Sequence, residues 1–108
     1  HKINGKWYIY FAASHTHDLD ALGMFQHRMF ALECADSDPL TGKWQEKGQI
    51  KTPLDTFALD ATTFRHQGKQ WYLWAQKDPE IKGNTNLYLA ELENPWTLKG
   101  QPVMLSQP

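Results

Sequence analysis

In the stretch FALDATTF, Phe57 to Phe64, a carboxylate, Asp60, stands among small, β-branched and aromatic residues that otherwise read as a buried strand. Taking a carboxylate out of water is costly unless it is paired, hydrogen-bonded or put to chemical use. An ionised aspartate beside a second carboxyl group raises that group's pKa, each unit being worth about 1.4 kcal/mol. The competing reading is a turn cap, with Asp60 accepting hydrogen bonds from backbone N–H groups. A second cluster lies in SHTHDLDALGMFQHR, which holds His15, His17, Asp18, Asp20 and His27. His-x-His with nearby aspartates offers donor types that zinc takes, but nothing fixes a third ligand. No metal and no cofactor are assigned. Cys34 is the single cysteine, so the chain has neither an internal disulfide nor a thiolate cluster, and its neighbours FALECA place it in a strand core.

The elements that must hold these residues come as a repeat. INGKWYIYFAAS (Ile3 to Ser14) and HQGKQWYLWAQK (His66 to Lys77) both run from a Gly-Lys turn into an aromatic strand. MFALE at Met29 then matches LYLAE at Leu87, Asp38-Pro39 matches Asn94-Pro95, and Lys47-Gly48-Gln49 matches Lys99-Gly100-Gln101. The order is kept while the spacing between equivalents shrinks, as expected of paired strands joined by loops of different length. Each repeat is expected to hold an aromatic strand (Trp7 to Ala13; Trp71 to Gln76), a second (Arg28 to Cys34; Asn86 to Leu92) and a weaker third (Trp44 to Ile50; Gln101 to Leu105). A further strand, Leu59 to His66, joins the second repeat through Gln67-Gly68-Lys69 as a hairpin. Nothing reads as a helix.

Four antiparallel strands recurring at about 50 to 60 residues is the layout of a propeller blade, and about four to eight blades close a ring. The expected fold class is therefore all-β, a partial β-propeller of about two four-stranded antiparallel blades. Residues 1–50 form a blade lacking its innermost strand, of which HKI is the tail, and 51–108 form the following blade, carrying LDATTF. Both belong to one propeller domain, and the chain is expected to be a piece of a longer protein.

Composition narrows the partners. The 108 residues are 41% hydrophobic and 13% aromatic, enough for one packed domain. A net charge of -1 with no basic stripe argues against nucleic acid. No apolar run approaches the roughly 18 residues of a membrane span, so no membrane partner is expected, and the compartment stays open.

The segments WYIYFAAS, HRMFALE, ADSDPLTGKWQEKGQI, FALDATTF, GKQWYLWAQKD, NLYLAELENPW and LKGQPVMLSQP together resemble glycoside hydrolase family 43. These are five-bladed propellers that act on arabinose- and xylose-containing plant polysaccharides. The wording resembles the α-L-arabinofuranosidase branch more than the β-xylosidase branch. The resemblance implies an inverting hydrolase with three carboxylates: an aspartate base, an aspartate that tunes the acid's pKa, and a glutamate acid. LDATTFRHQGKQWYLWAQ matches the middle motif, with Leu59 in place of the usual isoleucine, so Asp60 takes the tuning role. The base is expected upstream of His1 and the acid, in a Glu-Gly-Pro setting, beyond Pro108, which would leave the chain alone catalytically silent. The family commonly binds a structural calcium, but no ligand set for it is visible here.

In this frame Ser14 to Gln26, Lys77 to Thr85 and the linker Lys51 to Thr56 overhang the pocket, and the turns at Gln67-Gly68 and Asp36 to Gly42 fall on the far side. Sugar contacts are expected from His27, Arg28, Phe57 and Gln76. Trp7, Tyr8, Tyr10, Phe11, Trp71 and Tyr72 are expected to fill the wedge between blades, and Trp44 and Trp96, beside Gly-Lys and Asn-Pro turns, to pack on the outer strands. Trp74, closest to the active face, is the aromatic that could touch substrate. The implied partner is an arabinose- or xylose-containing carbohydrate, and the pair of blades is expected to self-associate or to pack on the rest of its propeller. The alternative is a non-catalytic carbohydrate-binding β-domain with an exposed aromatic platform; a scaffold propeller is a third reading, without WD or kelch signatures.

Overall fold

The computed structural model describes residues 1–107. Its eight strands are β1 (Lys2–Ile3), β2 (Lys6–Ala13), β3 (Arg28–Cys34), β4 (Trp44–Gln49), β5 (Ala58–His66), β6 (Lys69–Gln76), β7 (Asn86–Asn94) and β8 (Thr97–Ser106). They form two four-stranded antiparallel sheets in the orders β1-β2-β3-β4 and β5-β6-β7-β8. The arrangement is all-β and matches part of a propeller. Each sheet opens with the same hairpin: Asn4-Gly5 (φ 51 and 79) and Gln67-Gly68 (φ 50 and 76) place both central residues in the left-handed region that a two-residue turn requires.

Several strands outrun the sequence reading. β8 begins at Thr97 rather than Gln101, because Asn94 pairs with Thr97 and its side chain accepts the Trp96 N–H at 3.0 Å, closing a tight turn. Gly48 and Gly100 lie in strands at register shifts, with φ of 88 and 71.

The sheets pack face to face. Met29, Ala31 and Ile50 from the first meet Ala58, Tyr72, Trp74, Ala90 and Leu92 from the second. Tyr10 bridges them, its ring 5.1 Å and edge-on from Tyr72 and its hydroxyl donating to the Pro95 carbonyl at 2.6 Å. Trp96 borders this core and carries the Lys47 ammonium 4.4 Å above its ring.

Strand register settles which residues of the two sheets are equivalent. Tyr8 faces Glu33 and Trp71 faces Glu91, so Tyr8 corresponds to Trp71, one residue off the shared Trp-Tyr letters. The same register equates the cross-strand pair Phe11–Phe30 (5.6 Å, 24°) with Trp74–Tyr88 (5.8 Å, 28°), both stacked. It also repeats a charge triad. Glu33 lies 3.7 Å from both Lys6 and Lys47, and Glu91 lies 3.6 Å from both Lys69 and Lys99.

Glu33 is the more buried of the two, and it also accepts the Tyr8 hydroxyl. That hydrogen bond, aided by Lys47 and Lys6 and opposed by burial, holds its carboxyl below the usual carboxylate range. With the folded value below the unfolded one near 4.5, the stabilisation is complete above that pH and is lost as the pH falls through the folded value. Glu33→Gln is expected to cost about 2 kcal/mol at neutral pH. The difference from the native sequence should shrink in acid, which urea denaturation at about pH 7 and about pH 3 measures.

Candidate active site

Asp60 sits where β5 breaks its own alternation. Leu59 pairs with Ala75 and Thr62 with Leu73, so Asp60 and Ala61 together oppose the single residue Trp74. This is a β-bulge, and its first residue, Asp60, has φ 53. Aspartate tolerates that region better than most residues with a Cβ, because its short polar side chain bonds locally or to water. The inward-facing set of β5 becomes Ala58, Ala61 and Thr63, and the Asp60 carboxylate turns outward. It is exposed and, among the described residues, makes no hydrogen bond or ion pair, so the turn-cap reading finds no support.

The residue opposite the bulge is fixed from behind. Trp74 is 1% exposed and its indole N–H donates to Gln76 Oε1 at 2.8 Å. Gln76 is itself 2% exposed. Its Nε2 donates to Thr52 Oγ1 at 2.9 Å and the Leu54 carbonyl at 2.7 Å, with the Thr56 carbonyl at 3.5 Å. Both residues expected to touch sugar from β6 therefore lie beneath the surface. Burial among Tyr72, Tyr88 and the linker explains Trp74, and saturation of its amide hydrogens explains Gln76.

The linker Lys51 to Thr56 is held on three sides. Besides Gln76, Thr56 Oγ1 donates to the Lys77 carbonyl, and the Lys77 N–H donates to the Phe57 carbonyl at 2.9 Å. On the third side, Arg28 Nε donates to Asp55 Oδ1 at 2.8 Å and a terminal guanidinium nitrogen to the Asp55 carbonyl at 3.0 Å. Arg28 is thus turned onto the linker and keeps the Asp55 carboxyl below its ordinary value. The Lys77 ammonium donates to the carbonyls of Ile81 and Gly83, pinning the loop that follows β6.

His27 and Phe57 are brought together. The Ala58 N–H donates to the His27 carbonyl at 3.0 Å, and the two rings meet edge-on at 5.8 Å. Phe25 meets His27 from another direction at 6.0 Å. Beside them opens a cleft of about 250 Å³ lined by Ser14, His15, Thr16, His17, Phe25 and His27. The His27 Nδ1 is buried there and, among the described residues, has no hydrogen-bond partner. His15 and His17 are exposed, and among the described residues no group of three metal-ligating side chains converges. Sequence reasoning placed Thr52, Asp55 and Thr56 in the linker and Lys77 in the following loop but singled out none of them, although the hydroxyls of the polar run KTPLDT ahead of Phe57 need partners.

The bulge makes a conformational prediction. Asp60→Ala, which keeps a Cβ at positive φ and loses the polar group, is expected to be about 1 kcal/mol less stable than Asp60→Gly. Comparing their denaturation midpoints tests this, since an ordinary strand position would give the reverse order.

Comparison with known proteins places this geometry. The sequence profile described as "Glycosyl hydrolases family 43" matches residues 1–108. An extracellular exo-α-(1→5)-L-arabinofuranosidase of Streptomyces avermitilis is 50% identical over 108 residues, covering 100% of this chain and 21% of that protein. The α-L-arabinofuranosidase 43 of Humicola insolens is 47% identical over 109 residues, again with 100% of this chain and 21% of the relative. The crystal structure of an α-L-arabinofuranosidase from Lactobacillus brevis superposes with a TM-score of 0.96 at 64% identity, covering 100% of this chain and 34% of that one. The chain thus spans about a fifth to a third of the length of these relatives. Matched by the family profile along its whole length, and carrying the strand order and aromatic packing of two propeller blades, the chain belongs to glycosyl hydrolases family 43.

Proposed function

We propose that these residues are the part of an inverting α-L-arabinofuranosidase that supplies the aspartate tuning its general acid, Asp60. The observation that carries this reading is the bulge: the carboxylate of β5 belongs to a left-handed residue, is exposed, and among the described residues has no hydrogen-bond or ion-pair partner. The bulge lies in a chain 64% identical to an α-L-arabinofuranosidase.

Inverting hydrolysis needs a carboxylic acid that protonates the leaving oxygen and a carboxylate that activates water on the opposite face, about 6.5 to 9.5 Å apart. On this reading both come from outside residues 1–108, so the chain alone is silent. Asp60 acts on the acid: its fixed negative charge disfavours a second carboxylate nearby and keeps the acid protonated at working pH. His27 and Phe57 form a wall on the side of the linker, where imidazole can meet sugar hydroxyls and the aromatic edge can meet C–H groups. Arg28, Gln76 and Trp74 act one layer back, through the linker and the bulge.

The substrate is an arabinose-containing oligosaccharide or polysaccharide, with xylose-containing chains as its bearer. A free-standing sugar-binding platform is less well supported, since its candidate aromatics Tyr72 and Trp74 are 0% and 1% exposed. The outward apolar side chains Ile9, Phe64 and Val103, at 45%, 44% and 61% exposed, favour packing on further blades of the same propeller.

The test is a chimera in which these 108 residues replace the matching segment of the Lactobacillus brevis enzyme. It is expected to hydrolyse a nitrophenyl α-L-arabinofuranoside. Asp60→Asn in the chimera should lower kcat about a hundredfold or more and move the alkaline limb of the pH profile downward. Activity retained within about threefold would overturn the assignment.

A further inference from the structure

We infer that Gln76 is a positioning residue for this site, coupling the linker ahead of Phe57 to the residue against which the Asp60 bulge is built. The inference rests on the reading of Asp60 given above.

The carboxamide is fully used. Nε2 has two hydrogens and three acceptors within reach, Thr52 Oγ1 and the carbonyls of Leu54 and Thr56, while Oε1 accepts the Trp74 indole N–H. No donor remains for a ligand. One end of the group therefore sets the height of the linker over β6, and the other fixes the indole around which Asp60 and Ala61 are folded. Ala61 packs against the same core as Trp74, so a tilt of the indole is transmitted to the bulge.

The propeller sheet itself does not need this group. In the first sheet the positions equivalent to Trp74 and Gln76 are Phe11 and Ala13, with the same cross-strand stack and no carboxamide beneath a linker. The sheet that carries the carboxylate is the one that carries the amide. The influence of Asp60 on a neighbouring acid falls with separation, and misplacement of a catalytic group by about 1 Å can cost about a hundredfold in rate. A buried hydrogen-bonded group is a direct means of holding such a distance.

Gln76→Met preserves volume but leaves the Trp74 N–H unpaired and removes the donor that ties Thr52 Oγ1 and the Leu54 carbonyl to β6. In the chimera described above it is expected to lower kcat about tenfold or more while KM changes less than about threefold. The alkaline limb should shift downward, because the acid is no longer held up by a correctly placed Asp60. Gln76→Glu, when protonated, keeps the acceptor for Trp74 and one donor, so its activity relative to the unsubstituted chimera should recover toward acid pH. If Gln76→Met fails to fold, Thr52→Val removes a single acceptor and should shift kcat and the pH profile in the same direction by less.

Unchanged kcat and pH profile in a folded Gln76→Met or Thr52→Val chimera would overturn the inference. So would a loss of kcat wholly matched by a lower folded fraction, with an unmoved profile and no recovery by Gln76→Glu. Failure of the underlying reading shows separately, as an active chimera in which Asp60→Asn changes nothing.

Discussion

Two buried N–H groups, the indole of Trp74 and the carboxamide of Gln76, must be satisfied inside a sheet-on-sheet core that offers few acceptors. The indole donates to the Gln76 side-chain oxygen, and the linker Thr52 to Thr56 comes down onto the carboxamide so that its hydroxyl and carbonyls accept the amide hydrogens. Once the linker is there, its other contacts follow. Thr56 reaches the backbone after β6, Asp55 meets Arg28 at the start of β3, and Phe57 arrives edge-on to His27. Strand β5 then begins at a fixed height beside β6, and its bulge falls opposite Trp74. The exposed carboxylate is the last step of a sequence that starts with a desolvated amide.

Much of this was legible in the residues. Short runs of Trp, Tyr, Phe and Ile between Gly-Lys and Asn-Pro turns specify antiparallel strands, and their order specifies two four-stranded sheets, because side-chain period and turn chemistry are local. The bulge was not legible. Simple alternation through ALDATTF puts Ala58, Asp60 and Thr62 on one face, whereas the core takes Ala58, Ala61 and Thr63. A left-handed aspartate leaves no mark in the pattern of apolar letters. The fate of Gln76 could have been read, since Tyr72 and Trp74 share its parity along β6 and both are core aromatics. What hid it was the expectation that a polar side chain near the open end faces solvent. Arg28 pairs with Asp55 across 27 positions, and no local signal announces such a contact.

The repeated triads show how one device is adapted to two depths. Glu33 and Glu91 each stand between two lysines, tying the first hairpin of their sheet to its outer strand across the middle one. In the first sheet the partner across the strand is Tyr8, whose hydroxyl completes the carboxylate's shell and allows burial. In the second it is Trp71, which has no such group to give on that side, and Glu91 stays partly in water. The same charge arrangement thus has a buried carboxylate in one blade and a partly exposed one in the next.

The register that equates Phe11–Phe30 with Trp74–Tyr88 has a consequence for symmetry. The face of the second sheet that is buried against the first corresponds to the face of the first sheet that points away from it. Contact between the sheets is therefore head-to-tail: each presents one surface forward and a different one behind. A two-fold pairing joins like to like and cannot satisfy such a pair of surfaces, whereas a rotation repeated in one sense can. The geometry of a single interface already contains the operator that sets one blade after another in the same sense.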